Sequence, residues 1–421
     1  MILVERHFSK GNPEIVRLCQ LSKELYNRAN FLMRKVWFTP TPAKYRQLPD
    51  LNILINELRD LDCFKELHNT KTAKQTVRKV LTDWGNYKRA LASYKRSPEK
   101  FISCPKPPGY KDKMAQVIFY NETIKGGQSG EKLTTLTATN NCFSIPCNKD
   151  YKQVVITPKA FGFIIEVQYE TKDNKTGEKS WTPTETQTQH HKISKDKVAT
   201  IDIGLNALAA ITYDQNRPIL VNGRIVKSFN QWYNKRPCKT RLRKRYFRLE
   251  NYFHHVSKMI VNLCLANGIG KIIIGKNDGW KQDINLGKKT NQAFCFVPTY
   301  LLLEKIKYKA AAEGIEVIFT EESYTSKASF FDCDPLPKYE HGVKHEFSGT
   351  RKHRGLYVTK DGFAINADVN GSLNIGRKVI PEFTGIGDRS LAARPVVVNP
   401  LRKPNGEGWV VNDSNFGTIN F

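Results

Sequence analysis

Lys197-Val198-Ala199-Thr200-Ile201-Asp202-Ile203-Gly204-Leu205-Asn206 is the stretch on which the fold turns. Val198–Ile203 is a short, mostly β-branched run and reads as a strand. Leu208–Tyr213 pairs with it through a short turn, and Pro218–Val221 with Arg224–Val226 supplies a third strand. A long basic helix follows over about 231–267, closed by Gly268 and Gly270. Lys271–Ile274 is an apolar strand. About 298–313 is a helix ended by Gly314, Ile315–Thr320 is another strand, and Asp368 opens a helix running to about 379. Alternating β and α elements predict a mixed α/β sheet.

Three acids stand at strand ends or helix starts along this series: Asp202, a glutamate at 321 or 322, and Asp368. The order of elements is that of a ribonuclease-H-like fold, with one carboxylate on the central first strand and another at the start of the last helix. Hard divalent cations take carboxylate oxygens. A pair of Mg²⁺ ions roughly 3.5–4 Å apart activates water and stabilises a leaving oxygen in phosphodiester hydrolysis. Asp202, on the central strand, is suited to bridge them, and Gly204 leaves room for a phosphate backbone to approach. Strand alternation sends Glu321 and Glu322 to opposite faces, so one of the two can ligate.

The charge balance agrees with a polyanionic partner. The 421 residues hold 67 Lys plus Arg against 40 Asp plus Glu, a net charge of +27. Such an excess repels itself unless neutralised, and nucleic acid is the expected neutraliser. The length predicts two or three domains. Nine cysteines, without CxxC spacing, point to scattered thiols in a reducing, cytoplasmic compartment. No run approaches the ~20 apolar residues of a membrane span. The N-terminus reads as a strand, not a signal peptide.

In the first half, Asn12-Pro13-Glu14 is a helix start, followed by apolar residues at helical spacing from Ile15 to Val36. Further helices are expected over 51–64 and 71–96. Short β-branched or aromatic pieces at 115–120, 133–139, 142–146, 152–157 and 161–170 predict a small antiparallel barrel or sandwich. Residues 172–196 read as a linker or long hairpin, and the tail from about 395 as Pro-rich and basic.

Ile201–Asn206, Phe229–Lys235, His255–Lys258, Ile274–Gln282, Gly314–Val317, Glu321-Glu322-Ser323-Tyr324-Thr325-Ser326-Lys327-Ala328-Ser329-Phe330 and Asn366–Ile375 together resemble the TnpB proteins of bacterial insertion sequences, relatives of the Cas12 effectors. The dense match covers about 197–380. The resemblance implies an RNA-guided DNA endonuclease with a RuvC-type site of Asp202, Glu322 and Asp368, with Glu321 as the alternative, holding two Mg²⁺ ions. Its partners would be a guide RNA from the right end of the element and double-stranded target DNA, with no membrane. It implies a wedge β-barrel (1–10 and 105–190), a helical recognition insertion (11–104), a RuvC-like nuclease domain (195–385) and a basic tail (386–421). Many members carry the glutamate at the strand matched by Ile272–Ile274, where this chain has Gly275; a subset carries it before Thr-Ser-Lys, which favours Glu322. Many also carry a four-cysteine zinc ribbon before the last aspartate. Here Cys333 is alone, so 331–365 is expected to be a metal-free loop without zinc.

Tyr26, Asn30, Lys74 and Gln75 are candidates for reading a motif beside the target. Arg241, Arg243, Lys244 and Arg245 on the basic helix suit a guide–target duplex, with Lys281 and Lys327 as further contacts. Two other readings stay open: a nuclease-dead RNA-guided DNA-binding regulator, and a guide-free nuclease or transposase of ribonuclease-H fold.

Overall fold

The computed structural model describes residues 2–39, 47–98, 101, 103–125, 134–138, 142–147, 151–170, 193–213, 216–276, 297–340, 342–353 and 355–401. The chain forms two compact units, Met1–Thr186 and Gln187–Phe421.

The first unit opens with β1 (Ile2–Ser9) and four helices, α1 (Pro13–Phe38), α2 (Leu51–Leu58), α3 (Asp62–Lys65) and α4 (Thr70–Arg96). Six strands follow: β2 (Val117–Tyr120), β3 (Ile124–Lys125), β4 (Thr134–Ala138), β5 (Ser144–Cys147), β6 (Tyr151–Lys159) and β7 (Gly162–Glu170). They form an antiparallel sheet in the order β1-β7-β6-β2 and a smaller one, β3-β4-β5. α1 starts where the residues dictate: the Asn12 side chain accepts from Ile15 N at 2.8 Å, and Pro13 occupies the first turn. Leu18, Leu25 and Met33 of α1 bury with Val77, Val80 and Trp84 of α4, in one core with Phe119, Val154 and Val167 of the sheet. Each such side chain contributes roughly 1.5–3 kcal/mol on burial. The helix expected over 51–64 is two pieces, because Leu61 adopts an extended backbone and packs on the core.

The second unit contains β8 (Ser194–Asp202), β9 (Ala207–Tyr213), β10 (Ile219–Asn222), α5 (Arg224–Lys235), α6 (Lys239–Ala266), β11 (Ile269–Gly275), α7 (Thr299–Ala312) and β12 (Glu316–Thr320). Then come β13 (Thr350–His353), β14 (Leu356–Val358), β15 (Ala364–Asn366), α8 (Ala367–Val379), α9 (Arg389–Ala393) and β16 (Val396–Val398). The sheet order is β12-β11-β8-β9-β10-β16. β8, β9 and β10 pair antiparallel, while β11 lies parallel to β8 and β12 parallel to β11. Alternation along β8 decides which side faces what. Ala199 and Ile201 bury with α6 and α7, while Val198 shares a cluster with Ile375 of α8. Thr200 likewise meets α8, through Ser372. Asp202 has the parity of Val198 and Thr200, and so faces α8.

Several expectations are corrected. Arg224–Val226 opens α5 instead of continuing a strand; Gly223 ends the ladder there, where a Cβ would lie 2.3 Å from the Leu205 carbonyl oxygen. The single basic helix is two helices, because Arg236 precedes Pro237 and is driven to an extended φ of −149°. β8 begins inside the stretch read as a linker. Residues 331–365 are not simply a loop, since β13, β14 and β15 form a three-stranded sheet there. Val396–Val398, assigned to the tail, extends the main sheet beside β10. His190, His191, Lys281 and residues 402–421 lie outside the described residues.

Candidate active site

α8 lies across the end of β8 and brings the acids together. Ser372 donates to the Thr200 carbonyl at 2.9 Å and sits among the buried hydroxyls of Thr200 and Thr212. One residue before Ser372, a Cβ on Gly371 would lie 2.7 Å from Asp202 Oδ2, so only glycine lets the helix approach the carboxylate this closely. Asp368 is held one turn earlier, at the helix start, where the Asn366 side chain accepts from Asp368 N at 3.0 Å and Val369 N at 3.2 Å. Arg351 of β13 donates to Asp368 Oδ1 at 3.3 Å.

Glu322 arrives from the β12 edge of the sheet, on the same face as α8. Thr320 pairs with Gly275, and Lys276 N donates to the Thr320 carbonyl at 2.7 Å. The chain then overshoots β12 by two residues and turns. Glu322 lies over the strand end, its Oε1 2.6 Å from where a Gly275 Cβ would stand. Gly275 at the end of β11 thus makes room for the glutamate beyond β12. Asn370 and Asn374 of α8 anchor the turn, donating to the Thr325 and Ala328 carbonyls at 2.8–2.9 Å.

Glu321 goes elsewhere. It pairs with Lys378, whose side chain is 6% exposed, and accepts from Ser323 N at 2.8 Å. Burial pushes the Lys378 ammonium down to about 8. The two glutamates separate because they follow the strand in a turn, not through the alternation expected from the sequence.

The electrostatics of the three acids are mutually unfavourable. Burial, then the neighbouring Asp368, raises the Asp202 carboxyl to about 7, against a lowering pull from Arg351. Burial and Asp202 raise Glu322 to about 8. Asp368 is also raised by burial, with Arg351 opposing. Near neutral pH the site therefore holds protons that an opposing cation would displace. Among the described residues no group of three His, Cys, Asp or Glu side chains stands close enough together to hold a metal ion. The donor chemistry, carboxylate oxygen only with glycines clearing the approach, nevertheless fits a hard divalent cation such as Mg²⁺.

The remaining sequence candidates divide. Asn30 is fully buried; its carbonyl oxygen takes the Trp84 indole N–H at 2.8 Å and its amide donates to the Pro108 and Gly109 carbonyls at 3.1 Å. Tyr26 is 3% exposed and donates to Asp83 at 2.9 Å. Both hold the helices together instead of presenting a reading edge, a correction the periodicity could not supply. Lys74 and Gln75 are partly exposed on α4. Arg241 lies over the Trp232 ring and donates to its carbonyl at 3.1 Å, and Arg245 donates to Asn230 at 2.7 Å, so both fasten α6 to α5. Arg243 is partly exposed; Lys244 and Lys327 are exposed. Gly204 serves the turn after β8, where a Cβ would meet the Ala207 carbonyl oxygen at 2.6 Å, and not an approaching phosphate. Sequence reasoning missed Arg351, which lies in the basic run Arg351-Lys352-His353 with no local signal, and the paired asparagines of α8, whose i, i+4 spacing was legible.

No helix of the described residues is long and apolar enough to cross a membrane. The family model for a Cas12f1-like TNB domain matches residues 300–375, the stretch from α7 to α8 that carries Glu322, Arg351 and Asp368. A TnpB-like protein (ORF457) of Acidianus two-tailed virus is 21% identical over 92% of this chain and 85% of its own. Two solved structures are also similar. One is titled a Cas12f1–sgRNA–target DNA complex (12% identity, TM-score 0.32, 90% of this chain and 100% of that one). The other is titled an AacC2c1–sgRNA binary complex (9% identity, TM-score 0.39, 86% of this chain and 68% of that one). The domain match over the acidic site and the relative spanning nearly the whole sequence support a TnpB/Cas12-type protein.

Proposed function

We propose that this chain is an RNA-guided DNA endonuclease, with Asp202, Glu322 and Asp368 as its metal-binding carboxylates. The observation that carries the reading is the place of Asp202 between the other two: its carboxylate lies against Gly371 of α8, the helix that carries Asp368, and it is electrostatically coupled to both Asp368 and Glu322. A guide RNA pairs with one strand of a double-stranded target, and the carboxylate site cleaves DNA.

Asp202 is central, because Asp368 raises its carboxyl and it in turn raises that of Glu322; with Glu322 and Asp368 it would hold the metal. When bound, a pair of Mg²⁺ ions supplies charge stabilisation to the attacking and leaving oxygens of the phosphodiester. The protein's part is to hold three carboxylates against their repulsion on two fixed supports, the strand ends and α8. Arg351 neutralises Asp368 and stands ready to bind the anionic backbone of a strand entering the site. Glu321, tied to Lys378, is a brace for the turn and not a ligand. In this reading the first unit is the wedge barrel (1–10 and 105–190) carrying the recognition insertion (11–104), and the nuclease domain spans 195–385. Lys74 and Gln75 remain its candidates for the adjacent motif. Arg243 and Lys244 are those for the guide–target duplex.

Purification with the flanking element transcribed, followed by sequencing of bound nucleic acid, tests the reading. One defined RNA species is expected. Recovery of protein free of RNA that still cuts DNA would instead indicate a guide-free nuclease.

A further inference from the structure

The turn that delivers Glu322 also delivers an aromatic ring in an unusual backbone state. Tyr324 has φ +62°, a left-handed conformation that bulky residues rarely adopt. Such strain persists only where the surroundings over-determine it. They do so here: Lys327 N and Ala328 N both donate to the Tyr324 carbonyl at 2.9 Å, and Thr325 donates to the Glu322 carbonyl through its N (3.2 Å) and Oγ1 (3.0 Å). Asn370 and Asn374 fix the far side of the same turn to α8. The ring is therefore registered to Glu322 and to the helix carrying Asp368.

The ring has backing. His345 meets it edge-on at 4.9 Å between centroids, and Phe347 lies at 5.7 Å, tilted by 42°. Asp334 in turn pins Ser348, the next residue, through its backbone N at 3.1 Å and its hydroxyl at 2.6 Å. All three rings remain partly exposed; the Lys327 ammonium lies over the Tyr324 ring, 6.0 Å from its centroid, and exposed Lys344 and Glu346 adjoin His345 in sequence. A rigid, backed ring with a lysine beside it, two residues from a candidate catalytic carboxylate, is the arrangement that captures an unpaired base by stacking while the lysine holds its phosphate.

We infer that Tyr324 is a positioning residue: it stacks a base of the single strand beside the phosphate to be cut and so sets which bond meets the carboxylates. This rests on the nuclease reading and adds the register of the strand. Stacking on an aromatic is expected to be worth roughly 5- to 100-fold in strand capture.

The test uses the RNA-loaded full chain. A scan of abasic nucleotides through the cut strand should find one position near the cleavage site that slows wild-type cutting by about that factor. Tyr324→Ala should show the same loss on normal DNA, cut at scattered positions, and be indifferent to the abasic nucleotide, while Tyr324→Phe retains wild-type behaviour. Tyr324→Gly, which accepts φ +62° without strain, controls for backbone relaxation and should resemble the alanine variant. No position-specific abasic effect, or equal abasic sensitivity in Tyr324→Ala, overturns the assignment. A second readout does not depend on cutting. Single-stranded DNA carrying 2-aminopurine should lose fluorescence on binding to the Asp202→Asn complex, and the Tyr324→Ala substitution should abolish that loss. If wild type fails to cut but quenching depends on Tyr324, the nuclease reading fails and the stacking site stands; quenching that survives Tyr324→Ala sinks the stacking site.

Discussion

Two groups of acids in the second unit are built on opposite plans. Asp334 is buried with its oxygens consumed by protein donors: Ser329 N at 2.7 Å, Ser348 N at 3.1 Å and the Ser348 hydroxyl at 2.6 Å. Its backbone carbonyl accepts from Arg377 at 2.5 Å. Asp202 is instead set against both Asp368 and Glu322, and Arg351 pairs with Asp368. A carboxylate whose partners are built in stabilises the fold. Carboxylates set against each other cost stability. The segment between Ser329 and Ser348 is closed by the first plan, a carboxylate stitching two loop ends.

Substitution should separate the two groups by sign. The largest effect is expected from Asp202→Asn: cleavage falls by several kcal/mol of lost transition-state stabilisation, roughly 10³-fold or more, with target binding retained. The same variant should melt a few degrees higher at pH 8 without metal, because a repelling charge is gone. Asp334→Ala should do the reverse, costing about 1–3 kcal/mol of stability through orphaned Ser329 and Ser348 donors. Both are read by duplex cleavage and thermal melts side by side. A destabilised Asp202→Asn would break the comparison.

The glutamates offer a sharper version. Glu322→Gln should cost on the order of 10²-fold or more in cleavage. Glu321→Gln should leave the chemistry near wild type while lowering stability, since the buried Lys378 loses its charged partner. Gly275→Ala should cut poorly, because its Cβ would lie 2.6 Å from Glu322 Oε1, and it should also cost stability, because the buried Ile375 Cδ1 lies at the same 2.6 Å. Equal kinetics for the two glutamate variants would remove Glu322 from the site.

pH supplies a smaller effect with a definite sign. Asp202 and Glu322 titrate near about 7 and about 8 in the folded chain, above the ~4 of an unfolded carboxylate. Between those values the folded state binds more protons than the unfolded one, so stability falls as pH rises. The contribution is complete below about pH 4 and lost once pH passes about 8. Melting temperature without metal should therefore decline from pH 6 to pH 8.5. Mg²⁺ should restore it more at the higher pH, and EDTA should reverse the gain. A melting temperature indifferent to Mg²⁺ at pH 8.5 would oppose the metal assignment.

Much of the nuclease half was legible because its strands are apolar runs with acids at their ends: β8, β11, β12 and the start of α8 fall where periodicity puts them. Pro237 was visible too, but its effect on a basic helix was underweighted. What was not legible depends on distant pairings. Arg351 meets Asp368 because β13, β14 and β15 fold back beside α8, which no local pattern announces. Gly275 looked like a missing ligand until Glu322 was seen to occupy its space. Asn30 looked like a reading residue, since burial by Trp84 and the Pro108–Gly109 carbonyls is invisible at helical spacing.

The most direct measurement pairs wild type and Asp202→Asn, each loaded with the RNA it co-purifies with, on a matched DNA duplex with and without Mg²⁺. Wild type should bind and cut only with Mg²⁺, while Asp202→Asn binds equally and leaves the duplex intact. Cutting by Asp202→Asn at the wild-type rate would contradict a nuclease built on these three carboxylates.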